Sequence, residues 1–390
     1  MTRSRHINRR RVAKALATVV ASAFVFGPPL AGLLGVNATS IENRELAKRP
    51  SPSQGWEGLD ALTAWASDHL PGRNAAVRAN AWVDYHALGE MPPAGRQAHG
   101  KKDPLVVRGR DGHLFLGDDF VRSCDSPGQF NEAFDEMLKF AEMIKASGRN
   151  VVFVVAPNKS SVATEVLPRA VPRGNCARTQ IRAQERRLNA TDHPLFLNLL
   201  PQLRESQVAG EQPYWKTDTH WSPTGGAIYA RAIADRLEPG LGARLDLKPK
   251  KATLSGDLSA MIGLKLPETA LVTTVETGTV NLDPFDPKRV KAGVYYGRQH
   301  WTTSPTTGLV PGRTVLLGDS FDYYAMENLR PLFADGTFLW VNSTPEDKVV
   351  AQIAASDTVV LEVVQRAVHM KNAFARPGFQ AKVLKAISAR

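Results

Sequence analysis

The chain reads as an α/β protein with a mainly parallel sheet, on three observations. From about residue 128 onward, segments with helical apolar spacing alternate with short strand-like runs. Those runs are continuously apolar, as in Val151-Val152-Phe153-Val154-Val155. Ser222-Pro223 then supplies a helix-start signal, an N-cap followed by proline at the first helical position. A strand that is apolar on both sides is covered on both faces, the condition of a parallel sheet between helix layers.

The first element is a membrane-directed segment, residues 1–36. Arg3, Arg5, Arg9, Arg10, Arg11 and Lys14 precede Ala15 to Val36, whose only polar side chains are Thr18 and Ser22. That run is long enough to cross a bilayer as a helix. Positive charge ahead of it predicts a cytoplasmic N-terminus and an extracytoplasmic remainder. Length and charged flank suit an anchor, whereas the small residues around Val36-Asn37-Ala38 suit cleavage and secretion. The same six cations account for more than half of the net charge of +11. No later stretch combines basic and aromatic clusters, which excludes a nucleic-acid reader.

Residues 37–127 form a lead-in. A turn-rich link at Pro50 to Gly55 precedes helical spacing from Leu59 to Tyr85, and Asp111-Gly112 between Leu105-Val106-Val107 and Leu114-Phe115-Leu116 predicts a β-hairpin. Residues 128–390 form the main domain. Helices are expected at Phe130 to Ser147, Arg178 to Leu188 and Thr224 to Leu237. Strands are expected at Val151 to Val155, Leu195 to Leu197, Thr314 to Leu317, Thr337 to Val341 and Thr358 to Val364. From about 241 to 312, Thr, Val, Gly and Pro interrupt the alternation, predicting a β-containing insertion. Cys124 and Cys176 suit an exported domain, where a bridge would stabilise by about 4 kcal/mol in the chain-entropy description. Two unrelated buried thiols are the alternative.

Two short motifs carry the chemistry. Gly318-Asp319-Ser320-Phe321 follows a buried strand, so Ser320 falls beyond a strand's carboxyl end, where α/β sheets bind ligands. Asp218-Thr219-His220 spaces a carboxylate and an imidazole two apart in a loop. A serine hydroxyl becomes nucleophilic when an imidazole takes its proton, and a carboxylate fixes the tautomer of that imidazole. A metal pair is the other use of Asp218 and His220, but His193 is the sole weak candidate for a further ligand, and no metal or cofactor is expected. Tyr214, Trp215, Trp221, Tyr323 and Tyr324 surround the motifs, either stacking on sugar rings or filling core.

Taken together the motifs resemble the SGNH-hydrolase superfamily, and within it the alginate O-acetyltransferase branch, in which the Gly-Asp-Ser block follows the Asp-His pair. The resemblance also rests on Glu42-Asn43-Arg44 with Leu46-Ala47, Asp68-His69 with Pro71-Gly72-Arg73, Ala156-Pro157-Asn158-Lys159, His220-Trp221 and Ser255-Gly256-Asp257-Leu258. It implies a three-layer α/β/α sandwich with Ser320 as nucleophile, His220 as general base and acid, and Asp218 as orienting carboxylate. The Ser320 amide and Asn158 are its candidate oxyanion donors, although the Gly-x-Asn-Asp block of ordinary members is missing. An extracytoplasmic polysaccharide as acceptor and a multispanning membrane O-acyltransferase as acetyl donor are further expectations of the resemblance. A carbohydrate esterase using the same three residues, or a silent glycan-binding adaptor, are the other readings.

Overall fold

The structure is a computed structural model that describes residues 47–388 except 52, 54, 71, 97–102, 126–127, 284–297, 306–307 and 371–372, together with 14, 15, 18, 19 and 22. Most of the expected membrane segment and the Glu42-Asn43-Arg44 motif lie outside the described residues. Among the described residues no helix is long and apolar enough to cross a membrane.

The described residues divide into two compact units. One is drawn from residues up to 102 with Ala260–Lys265, and the other from Asp103–Ser259 with Leu266–Arg390. The first unit is helical, with helices Glu57–His69 and Arg73–Trp82 continued by a π-helical turn Val83–Leu88. Gly72 between them has a φ of 82°, which lets the chain reverse without strain. Asp68 is buried beside this turn, accepting the Ala47 N–H at 2.8 Å and lying 3.7 Å from Arg73 Nε.

The hairpin and the helix after it fall within the second unit, whose first residue is Asp103. Strands β1 (Val106–Arg108) and β2 (Leu114–Leu116) pair antiparallel around the Asp111-Gly112 turn. Phe115, Phe120, Ala163, Ala177 and Ile181 close a small core behind them. A Cys124–Cys176 bridge ties helix Asp118–Asp125 to helix Gly174–Ala190 there.

The main sheet has seven strands: β3 (Asn150–Ala156), β4 (Phe196–Asn198), β7 (Thr279–Leu282), β8 (Arg298–Ser304), β9 (Val310–Gly318), β10 (Phe333–Trp340) and β11 (Thr358–Val364). Their order is β4-β3-β11-β9-β10-β8-β7; the first five are mutually parallel, β8 is antiparallel to β10, and β7 is antiparallel to β8. Alternate residues of each central strand enter different cores. Val152, Val154, Leu316, Phe338 and Val360 face helices Pro223–Leu237 and Ser320–Leu329. Val151, Phe153, Val315, Leu339 and Val359 face helices Gln129–Ala146, Glu346–Ala355 and Pro377–Ser388. Both faces are therefore apolar, which is why these strands read as unbroken apolar runs. The three-layer α/β class expected from the sequence is the one formed.

The insertion contains β-strands, as expected, and they pair in two places. Only β5 (Leu247–Ser255) and β6 (Pro267–Val275) make a separate hairpin. β7 and β8 extend the main sheet at its edge, because β10 still offers a free antiparallel partner side on which β8 pairs from Asp335 to Leu339.

Candidate active site

Ser320 begins helix Ser320–Leu329, directly beyond the carboxyl end of β9. Asp319 caps that helix, its side chain accepting the Phe321 N–H at 2.9 Å. Asp319 is thereby committed to the turn. The second motif lies in a loop closed by a bridge between Tyr214 and Trp221. Trp221 Nε1 donates to the Phe321 carbonyl at 3.0 Å, and the His220 ring sits 5.1 Å from the Phe321 ring. Phe321 thus docks the histidine loop onto the residue next to Ser320. Among the described residues no hydrogen bond joins the Ser320 hydroxyl to His220.

The imidazole is held from several sides. Asp218 Oδ1 accepts both the His220 backbone N–H and Nδ1–H, each at 2.8 Å. A carboxylate only accepts, so the proton resides on Nδ1 and Nε2 is left as the basic nitrogen. The His220 ring stacks on Tyr324 with centroids 3.9 Å apart and planes within 6°. Burial pushes Asp218 upward, but the bonds from His220 and Asp257 outweigh it and leave the carboxyl below its ordinary value.

Asp257 completes this arrangement, and its role was not legible in the sequence. Its N–H donates to Asp218 Oδ2 at 2.8 Å, its Oδ1 accepts the Thr219 N–H at 2.7 Å, and its Oδ2 lies 3.8 Å from His220 Nδ1. Burial and then the Asp218 charge raise its carboxyl above the usual range. Gly256 permits the approach: a Cβ there would stand 2.2 Å from the Thr217 carbonyl oxygen. The Ser255-Gly256-Asp257 motif was the available signal, but nothing local linked it to His220.

The loop is anchored further by two charged side chains. Glu268 accepts the N–H groups of Lys216 and Thr217, both at 2.8 Å, and the Thr217 hydroxyl at 2.7 Å. Lys159 is buried, with Nζ donating to the carbonyls of Leu114 and Lys216 at 2.7 Å and of Asp218 at 3.1 Å. Burial lowers its ammonium to about 7 despite the surrounding carboxylates.

Asn158 is fully buried beyond the end of β3. Its Oδ1 accepts the Arg366 N–H at 3.2 Å, whereas Nδ2 meets no acceptor among the described residues. Arg366 lies over the Phe321 ring at 5.3 Å, linking Asn158 to the same neighbourhood as Ser320. Nδ2 is thus a buried amide donor whose hydrogens are not taken up by the described residues.

The five aromatic residues divide between the two uses left open by the sequence. Tyr214, Trp215 and Trp221 are buried, and Tyr214 donates its hydroxyl to the Pro157 carbonyl. Their large apolar areas are used to pack the loop. Tyr323 is half-buried against Phe338 and Trp340, while Tyr324 remains 40% exposed above His220.

Asp218, His220 and Asp257 each offer one metal-ligand atom, all within 4.8 Å of one another. His193, by contrast, pairs with Glu142. In the trio, however, Nδ1 and both Asp218 oxygens are already hydrogen-bonded within the cluster. The set is arranged to orient an imidazole.

A serine at a strand end, an Asp-His pair in a loop and a parallel sheet between helices are the features on which the resemblance to SGNH hydrolases rests. Residues 106–289 match the family described as SGNH hydrolase-like domain, acetyltransferase AlgX, which bears out the resemblance read from the motifs. The matched segment contains Asp218, His220 and Asp257 and ends before Ser320. A probable alginate O-acetylase AlgJ of Pseudomonas putida is 26% identical over 161 residues, 41% of this chain and 38% of its own. Its counterpart in Pseudomonas fluorescens is 28% identical over 134 residues, 34% of each chain. The chain thus spans little more than a third of these relatives. Among solved structures, the O-acetyltransferase domain of Pseudomonas putida AlgJ aligns with a TM-score of 0.44 and 19% identity, covering 73% of this chain and 99% of that one. Bacillus cereus PatB1 aligns with a TM-score of 0.48 and 12% identity, covering 67% and 96%.

Proposed function

We propose that the protein is an O-acetyltransferase that carries an acetyl group on Ser320 and passes it to a hydroxyl of an extracytoplasmic polysaccharide. The observation that carries this reading is the His220–Asp218 pair, fixed with Nε2 free and docked through Phe321 beside the Ser320 turn. Ser320 Oγ attacks the acetyl carbonyl and gives its proton to Nε2. The leaving group takes that proton as the acyl-serine forms. A sugar hydroxyl then attacks the acyl carbon, again losing its proton to Nε2, and the serine is restored. Asp218 stabilises the imidazolium in both halves. The Ser320 N–H and Asn158 Nδ2 are the donors for the oxyanion.

The serine-imidazole hydrogen bond closes in the acyl-donor complex, as catalytic hydrogen bonds often tighten only there. Tyr324, exposed and stacked on His220, offers the acceptor sugar an aromatic face. The acetyl donor we infer is a multispanning membrane O-acyltransferase, met at the outer membrane face to which residues 1–36 direct the chain.

The test uses the purified full chain with a soluble acetyl ester and candidate glycans. Wild type acetylates a glycan and yields a Ser320 peptide heavier by one acetyl group, whereas Ser320→Ala does neither. Equal turnover by the two sinks the mechanism. Release of acetate with no acetylated glycan under any acceptor condition identifies an esterase instead.

A further inference from the structure

Two buried carboxyl groups lie against the Ser320 turn and take no part in the acyl chemistry. Glu362 is the one acid in the otherwise apolar run of β11, and Asp322 sits in the first turn of helix Ser320–Leu329; both are fully buried. A side chain on Gly318 would place its Cβ 2.2 Å from Asp322 Oδ2 and 2.7 Å from Glu362 Oε2, so the two carboxyl groups crowd one glycine. Glu362 Oε2 accepts the Asp319 N–H at 2.9 Å. The Tyr229 hydroxyl donates to Asp322 Oδ1 at 2.8 Å. Asp319 is itself fully engaged, Oδ1 with the Phe321 N–H and Oδ2 with the Val364 N–H at 3.0 Å.

We propose that Glu362 and Asp322 are positioning residues, a carboxyl pair that seats Gly318 and Asp319 and thereby holds the Ser320 turn in one conformation. The proposal rests on Ser320 being the nucleophile. The titratable groups around the pair are Asp319 from the turn, Tyr229 from helix Pro223–Leu237, Tyr214 from the histidine loop, which feels the Glu362 charge, and the pair itself; no cation is bonded to either acid among the described residues. Burial, with Asp319 adding to it, raises Asp322 to about 8, and burial with Asp319 and Asp322 raises Glu362 well above the carboxylate range. Both therefore keep their protons at neutral pH, which spares the turn two unpaired buried charges. The folded-state values lie above the unfolded ones. Their contribution to stability is fully present below about pH 4 and is lost as pH rises through the folded-state values. The seat loosens in alkaline solution.

The test compares full-length wild type, Glu362→Gln, Glu362→Ala and Ser320→Ala. Thermal melting is followed from about pH 4 to about pH 10, and kcat and KM for a soluble aryl acetate across the same range. Glu362→Gln preserves an acceptor for Asp319 N–H but has no proton to lose. It is expected to keep kcat near the wild-type value at neutral pH and to flatten the fall in melting temperature that wild type shows as pH rises from about 4 through the folded-state values. Glu362→Ala leaves the Asp319 N–H without its acceptor and is expected to lower kcat about a hundredfold with little change in KM. Should Glu362→Ala fail to fold, the comparison of wild type with Glu362→Gln carries the test. Superimposed melting curves for those two overturn the proposal. A folded but inactive Glu362→Gln also overturns it, since the carboxyl would then be a reacting group. Full activity in Ser320→Ala would instead sink the nucleophile assignment, while the melting comparison still decides whether the pair clamps the turn.

Discussion

Replacing Asp218 with asparagine preserves volume and one acceptor oxygen but turns the other acceptor into a donor. In the protein, Oδ1 receives two N–H groups from His220 and Oδ2 receives one from Asp257, all at 2.8 Å. The amide has two ways to sit. With nitrogen toward His220 it confronts that residue's backbone N–H and also opposes Nδ1–H, forcing the ring proton to Nε2 and removing the base. With nitrogen toward Asp257 it confronts a backbone N–H, leaving a buried donor clash. The first orientation abolishes the correct tautomer and the second costs about 1–3 kcal/mol of stability. Losing the negative charge also removes stabilisation of the imidazolium in either case. By analogy with triads generally, kcat should fall about 10⁴-fold, equivalent to roughly 5 kcal/mol of transition-state stabilisation. The assay is stopped-flow acylation by an aryl acetate, with circular dichroism to confirm the fold. A folded Asp218→Asn variant acylating at the wild-type rate would refute the assignment of Asp218 as orienting carboxylate.

Other expectations follow from the same contacts. Asn158→Ala should lower kcat by about 10²–10³ and cost about 1–3 kcal/mol of stability, because the Arg366 N–H loses Oδ1 while Nδ2 has no partner to lose; unchanged turnover in the folded variant would remove Asn158 from the oxyanion site. Lys159→Met should destabilise the protein by roughly 3–5 kcal/mol in denaturant titration, because three carbonyls lose their donor at once. Double replacement of Cys124 and Cys176 by serine should cost about 4 kcal/mol, given a separation of 52 residues, and should abolish any effect of reductant on melting. Tyr324→Phe should preserve the stack on His220, whereas Tyr324→Ala should raise KM for the glycan acceptor more than it lowers acylation by a small ester.

The strands were legible because their apolar runs record burial on both faces, and the Ser222-Pro223 start is a local signal that the helix uses as read. What is decided by distant pairing was not. β7 and β8 are rich in threonine and other polar residues, and only the free side of β10 turns them into sheet. Asp257 reaches Asp218 across 39 positions, and Lys159 reaches it across 59, spacings that leave no periodic trace. Tyr214, Trp215 and Trp221 show the converse failure: an aromatic beside a motif has the same letter whether it faces solvent or core. Glu362 did leave a mark, a lone acid inside β11, which propensity reasoning alone passes over as a tolerated exception.

The anchoring of the histidine loop has a consequence for how the protein matures. Its fixed points come from Leu114, Lys159, Asp257 and Glu268, segments spread over more than a hundred residues of chain. Contacts of such long sequence separation form late, after the loop-closure entropy of the intervening chain has been overcome. The nascent polypeptide therefore has no oriented imidazole before that stage. On the function proposed above, acyl chemistry awaits closure of the second unit around that loop, so a chain cut short within it should be inert rather than partly active.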